Sequence, residues 1–123
     1  MSRILVIDDA ATVRQYHRGT LESAGYTVDE AMNGLEAIEK VLQSPYDLYL
    51  VDVNMPKMDG YSFVRQLRGM QVHQAPAIMV STESEAHDQT MAYQAGANLY
   101  LCKPAKPQAL LGYVAMLLGR KTP

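Results

Sequence analysis

The chain has one cysteine, Cys102, no tryptophan, one phenylalanine and three histidines among its 123 residues. A single thiol excludes an internal disulfide, and with scattered histidines there is no thiolate and imidazole cluster for a metal. Cys102 is expected to be a small buried hydrophobe. Long apolar runs are missing too: the longest reach about four to six residues, far short of the ~20 that cross a bilayer. The first residues lack the basic and apolar segments of a secretion signal. A formal net charge of −2 leaves no basic footprint for nucleic acid or an anionic membrane. These absences point to a cytoplasmic protein with no nucleic-acid and no membrane partner.

The remaining composition is that of a globular protein, 48% hydrophobic and 20% charged. Its length suits one domain that buries roughly two-thirds of its unfolded surface. Short β-rich runs at Arg3 to Ile7, Tyr26 to Ala31, Tyr46 to Val51, Pro76 to Val80 and Ala97 to Cys102 alternate with helix-like segments. Such βα alternation argues for a parallel sheet with helices on both faces, since parallel strands need right-handed crossovers. Gly25 and Gly96 stand where helices end, and Pro45 and Pro76 stop helical continuation before strands three and four. Helix one carries a mixed inner stripe of Val13, Tyr16, His17, Thr20, Leu21 and Ala24. Ala10 and Ala11 are poor N-caps, so Asp9 or Thr12 is expected to cap it, or a bound ion to satisfy its donors. The last helix, about Lys106 to Leu118, aligns Leu110, Leu111, Val114, Leu117 and Leu118.

Polar residues interrupt the apolar runs at their carboxyl ends. Asp8 and Asp9 follow strand one, Asp52 follows strand three, Ser81 strand four and Lys103 strand five. In an open parallel sheet those ends share one edge, where ligands bind at the reversal of strand order. Adjacent carboxylates beside a low-dielectric core repel each other unless positive charge compensates. Mg²⁺ suits them, because it takes carboxylate and carbonyl oxygens while keeping several waters. Lys103 and Ser81 supply what a phosphoryl group on one carboxylate needs. Asp52 is the best nucleophile candidate. It stands alone before the turn Asn54-Met55-Pro56-Lys57-Met58-Asp59-Gly60, whereas Asp8 and Asp9 form a pair suited to metal and water ligation.

Together IDD, VDVNMPKMDG, Ser81 and YLCKP resemble the receiver domain of response regulators, over nearly the whole chain. The resemblance implies a single receiver domain over residues 1–123 without an effector domain. It also implies an α/β fold with a five-stranded parallel sheet in the order 2-1-3-4-5, as in CheY. Asp52 would then accept a phosphoryl group from a sensor histidine kinase, with Asp9, Asp52 and the Asn54 carbonyl holding Mg²⁺ and Asp8 acting through a metal-bound water. Lys103 would contact the phosphoryl group and precede a cis proline bond, Lys103-Pro104. Ser81 would move to a phosphoryl oxygen and Tyr100 would turn inward behind it. That movement changes the face of helix four, strand five and helix five for a downstream protein, with chemotaxis as one setting. Such a chain catalyses only its own phosphorylation and dephosphorylation. The alternatives are a relay intermediate that passes phosphate to a histidine phosphotransfer protein, and a scaffold that is not phosphorylated.

Asn54, Thr82 and Glu83 occupy positions that tune phosphoryl lifetime or access in this family. Thr82 stands where Ala or Gly is usual, so its branched side chain is expected to crowd phosphodonors. Ala86, Gln89 and Tyr93 fall at helical spacing near Tyr100 and Tyr113, compatible with a protein partner. Met32, Met55, Met58, Met70 and Met79 read as core fillers, Lys57 and Asp59 as solvated loop residues, and His17 as structural. Two other classes fit less well. A phosphatase acting on external esters would want an acid pair two residues apart after strand one, which IDDAAT lacks. A flavin-phosphate binder would want a donor-lined loop there, where Asp8 and Asp9 would repel the phosphate.

Overall fold

The computed structural model describes residues 2–82 and 86–119. Five βα units follow one another in it. β1 (Arg3–Ile7), β2 (Thr27–Ala31), β3 (Leu48–Asp52), β4 (Ala77–Ser81) and β5 (Leu99–Cys102) alternate with α1 (Ala11–Ser23), α2 (Gly34–Gln43), α3 (Gly60–Gly69), α4 (Ala86–Ala95) and α5 (Pro107–Leu117). The strands pair in parallel, in the order β2-β1-β3-β4-β5, as expected. No helix among the described residues is long and apolar enough to cross a membrane.

The near-continuous apolar strands follow from burial on both faces. Successive side chains point to opposite sides, so Leu5, Ile7, Tyr49, Val51 and Met79 join one core with Phe63, Val64 and Leu67 of α3 and Ala92 of α4. Ile4, Val6, Leu48, Leu50, Ile78 and Val80 join the other, with Leu21 of α1 and Leu110 and Val114 of α5. Two cores of this kind clamp the sheet and bring the carboxyl ends of β1, β3, β4 and β5 to one level.

Several boundaries and local expectations change. β2 to β5 begin one or two residues later than the apolar pattern suggests; Tyr26, Tyr46 and Ala97 are buried just ahead of their strands without belonging to them. β3 and β4 each run one residue further, which places Asp52 and Ser81 inside the strands. Cys102 is exposed rather than buried, because it ends the edge strand β5. Of the expected α1 stripe only His17 and Leu21 are buried, and Tyr16 lies outside. Neither Asp9 nor Thr12 caps α1: Ala10 is the N-cap, and its methyl group offers no capping hydrogen bond. Met79 is core and Met55, Met58 and Met70 pack against it, but Met32 is about half exposed. Lys57 and Asp59 are exposed, and Asp59 also caps α3, with Oδ1 accepting from Ser62 N–H at 2.8 Å.

The Tyr49 hydroxyl is fully buried and has no hydrogen-bond partner among the described residues. Leaving such a group unpaired costs stability. Tyr49→Phe is therefore expected to raise the unfolding free energy by about 1 kcal/mol in chemical denaturation. A lower midpoint would show that the hydroxyl is satisfied.

Candidate functional site

Register carries Asp8 and Asp52 to the same height. Ile7 of β1 pairs with Val51 of β3, so the next residue on each strand meets across the gap where strand order reverses. Asp8 is 2% exposed and Asp52 7%, while Asp9 faces solvent. One carboxylate oxygen from each of the three lies within 4.8 Å of the others. From the other side, Ser81 pairs with Cys102, and the Lys103 N–H donates to the Ser81 carbonyl at 2.7 Å. Lys103 then reaches back over the edge: Nζ donates to Asp52 Oδ1 at 2.8 Å and to Asp8 Oδ2 at 3.1 Å.

The charge balance of this cluster is uneven. Burial pushes the Asp52 carboxyl above the usual carboxylate range; the Lys103 hydrogen bond opposes the shift, and the neighbouring charges of Asp8 and Asp9 add to it. Burial alone would lower the Lys103 ammonium, but its bonds to Asp52 and Asp8 outweigh that and hold it above its ordinary value. Both directions agree with one cation facing several acids. Among the described residues, three carboxylates paired with one ammonium leave two uncompensated negative charges. An all-oxygen, doubly negative donor set fits a hard divalent cation such as Mg²⁺.

The β3–α3 connection is held hard against the nucleophile candidate. Gly60 N–H donates to the Val53 carbonyl at 2.9 Å, and a Cβ at Gly60 would lie 2.3 Å from the Asp52 carbonyl oxygen. Gly34 N–H donates to the Met58 carbonyl at 3.1 Å and fastens the same loop from the α2 side. Asn54 is exposed at the start of this loop, two residues past Asp52.

Other expected positions sort as follows. Ser81 is buried at the end of β4, and Thr82 is exposed beside it. Glu83 lies outside the described residues. The Lys103-Pro104 bond is cis, as expected. Tyr100 is only 7% exposed, so its ring starts from a buried position here rather than from the exposed one that an inward turn presupposes. A cavity of about 370 Å³ opens beside Lys103, lined by Val13, Tyr16, His17, Thr82, Pro104 and Ala105 among others. His17 is buried on its wall, and burial holds its imidazole below the ordinary value, toward the neutral form. The sequence reading missed this cavity and the part played by Arg14, whose guanidinium donates to the Asp8 carbonyl. Only a complementary acid on β2 could have signalled Arg14.

The Asp52 shift fixes a pH dependence. A carboxyl raised in the folded state stabilises when protonated; that contribution is complete below the unfolded value, about pH 4, and is lost as pH rises through the folded value. In metal-free buffer Asp52→Asn is therefore expected to be more stable than wild type at pH 7. The advantage should fade toward pH 3, and thermal unfolding across that range is the check. A variant less stable than wild type at pH 7 would contradict the shift.

Comparison with known proteins agrees with this fold. The response regulator receiver domain family matches residues 4–115. The chain is 40% identical over 119 residues to the transcriptional regulatory protein ResD of Bacillus subtilis, covering 97% of this chain and 49% of that protein. Among solved structures, the Vibrio cholerae chemotaxis protein CheY4 superposes with a TM-score of 0.89 at 35% identity, covering 95% of this chain and 98% of that one. A two-component response regulator from Clostridium difficile gives a TM-score of 0.92 at 29% identity, with 98% of each chain covered. The chain spans about half the length, or less, of the curated relatives it matches. With a family match that spans residues 4–115 and relatives at up to 40% identity along nearly its whole length, the chain belongs to the response regulator receiver domain family.

Proposed function

We propose that Asp52 is the phosphoacceptor of a Mg²⁺-dependent, cytoplasmic signalling receiver, and that its donor is a sensor histidine kinase. The observation that carries this reading is the Lys103 ammonium bridging Asp52 and Asp8 at a buried edge. Asp9, Asp52 and the Asn54 carbonyl would hold Mg²⁺, with Asp8 joined through water. When bound, the ion neutralises charge on the phosphoryl oxygens.

An Asp52 carboxylate oxygen attacks the phosphorus of a phosphohistidine. The P–N bond breaks, and the leaving imidazole nitrogen keeps the electron pair and takes a proton. Lys103 is the ready cation for the transferred oxygens, and it can serve them only by loosening its hold on Asp8 or Asp52. Ser81 is joined to Lys103 by their backbone hydrogen bond, and its hydroxyl would be the second donor to the phosphoryl oxygens. Attack by water on the aspartyl phosphate restores the carboxylate, and the chain acts on no substrate besides its own phosphoryl group. Asn54, Thr82 and Glu83 would set how fast that happens.

Displacement of Lys103 and Ser81 would be read by Tyr100 on β5 and then by α4 and α5. Tyr93 of α4 and Tyr113 and Met116 of α5 are exposed large side chains on those elements. They suit a downstream protein or phosphotransfer partner, in chemotaxis or another pathway.

Intact mass spectrometry after incubation with acetyl phosphate tests the chemistry. Wild type with Mg²⁺ should gain one phosphoryl group, and neither metal-stripped wild type nor Asp52→Asn should do so. Addition to Asp52→Asn would place the acceptor elsewhere.

A further inference from the structure

The turn from β1 to α1 presents both Asp8 and Asp9, yet it lacks the usual means of holding such a turn. No capping side chain bonds at Ala10, and the first turn of α1 contains no acid. Two contacts from side chains hold it instead. Asp8 Oδ1 accepts from the Ala10 N–H at 2.9 Å. The Asp8 carbonyl oxygen accepts from Arg14 Nη1 at 2.7 Å. This second bond fixes the plane of the peptide joining Asp8 to Asp9, because the carbonyl and the following N–H share one plane.

Arg14 is anchored in its turn. Its Nε donates to Glu30 Oε1 at 3.0 Å, and Glu30 stands on β2 opposite Val6 of β1. The second Glu30 oxygen accepts from Arg18 Nη1 at 2.7 Å. The Arg14 side chain is 16% exposed and that of Glu30 24%, so water and salt screen the pair only in part.

We infer that Arg14, held by Glu30, is a positioning residue for the cation site. It orients the peptide between Asp8 and Asp9 and thereby directs both carboxylates toward the cation they share with Asp52. The inference rests on reading the acid cluster as a Mg²⁺ site. Outer hydrogen bonds that orient ligands are commonly worth tenfold or more in affinity.

Charge and geometry give opposite signs here, which makes the inference testable. A guanidinium repels a nearby divalent cation, so on Coulomb grounds alone its removal tightens Mg²⁺ binding. If Arg14 acts by holding the ligands, its removal weakens binding. Mg²⁺ is titrated calorimetrically into wild type, Arg14→Gln, Arg14→Lys and Glu30→Gln without any phosphodonor. Amide NMR signals of Asp8 and Asp9 are followed in the same samples.

Affinity should fall roughly tenfold in Arg14→Gln, fall less in Glu30→Gln and recover in part in Arg14→Lys. The Asp8 and Asp9 amides should shift already in metal-free Arg14→Gln. A folded Arg14→Gln that binds Mg²⁺ as tightly as wild type, or more tightly, overturns the inference. Should Arg14→Gln fail to fold, Glu30→Gln decides, and unchanged affinity and unchanged Asp8 and Asp9 amides there overturn it equally. Wild type that takes up no Mg²⁺ would sink the metal reading itself, an outcome distinct from any difference between variants.

Discussion

A single ammonium shared by two buried carboxylates governs the carboxyl edge of this sheet. Lys103 follows β5 and spans to Asp52 at the end of β3 and to Asp8 just past β1, so it ties neighbouring strand ends together above the core. Asp9 adds a third acid within reach. One lysine cannot neutralise all three, and burial makes the excess expensive for Asp52 in particular. The edge is therefore poised for more positive charge. It is also sensitive to any group that competes for the lysine, and a phosphoryl group, with its negative charge and acceptor oxygens, is such a competitor.

The rest of the fold serves to hold these charges in place. Two cores clamp the strands from both faces, so register converts the sequence position of each polar residue into a place in the pocket. Backbone contacts then set the fine geometry. Gly60 lets the β3–α3 connection press against the Asp52 carbonyl, where any side chain would collide. The β1–α1 turn, without a cap of its own, depends on the Asp8 carboxylate and on Arg14. The groups that would bind a ligand thus sit at strand ends and loops carried by a packed scaffold.

Much of this was legible in the sequence because strand ends are local. Apolar runs that stop abruptly at Asp8, Asp52, Ser81 and Lys103 announce both the strands and the edge, and strand alternation implies the sheet that unites them. What the pattern could not show depends on partners distant in the chain. Arg14 meets Glu30 sixteen positions away across two elements, and nothing in the local pattern marks either residue. Cys102 and Met32 look like core residues by type, but an edge strand end and a loop after β2 leave them outside. The buried Tyr26, Tyr46 and Ala97 misled in the other direction, extending apolar runs past the point where ladder hydrogen bonds begin. Burial and strand pairing are separate conditions, and residue type reports only the first.

Titration of the Asp52 carboxyl carbon by NMR, with and without Mg²⁺, addresses the charge imbalance at its source. Without metal, Asp52 should titrate above the usual carboxylate range, because burial and the other two acids outweigh Lys103. With Mg²⁺ saturating, the same carboxyl should titrate well below its metal-free midpoint. Identical midpoints in the two conditions would mean that no cation joins Asp52 at this edge, and the acid cluster would then have to owe its form to Lys103 alone.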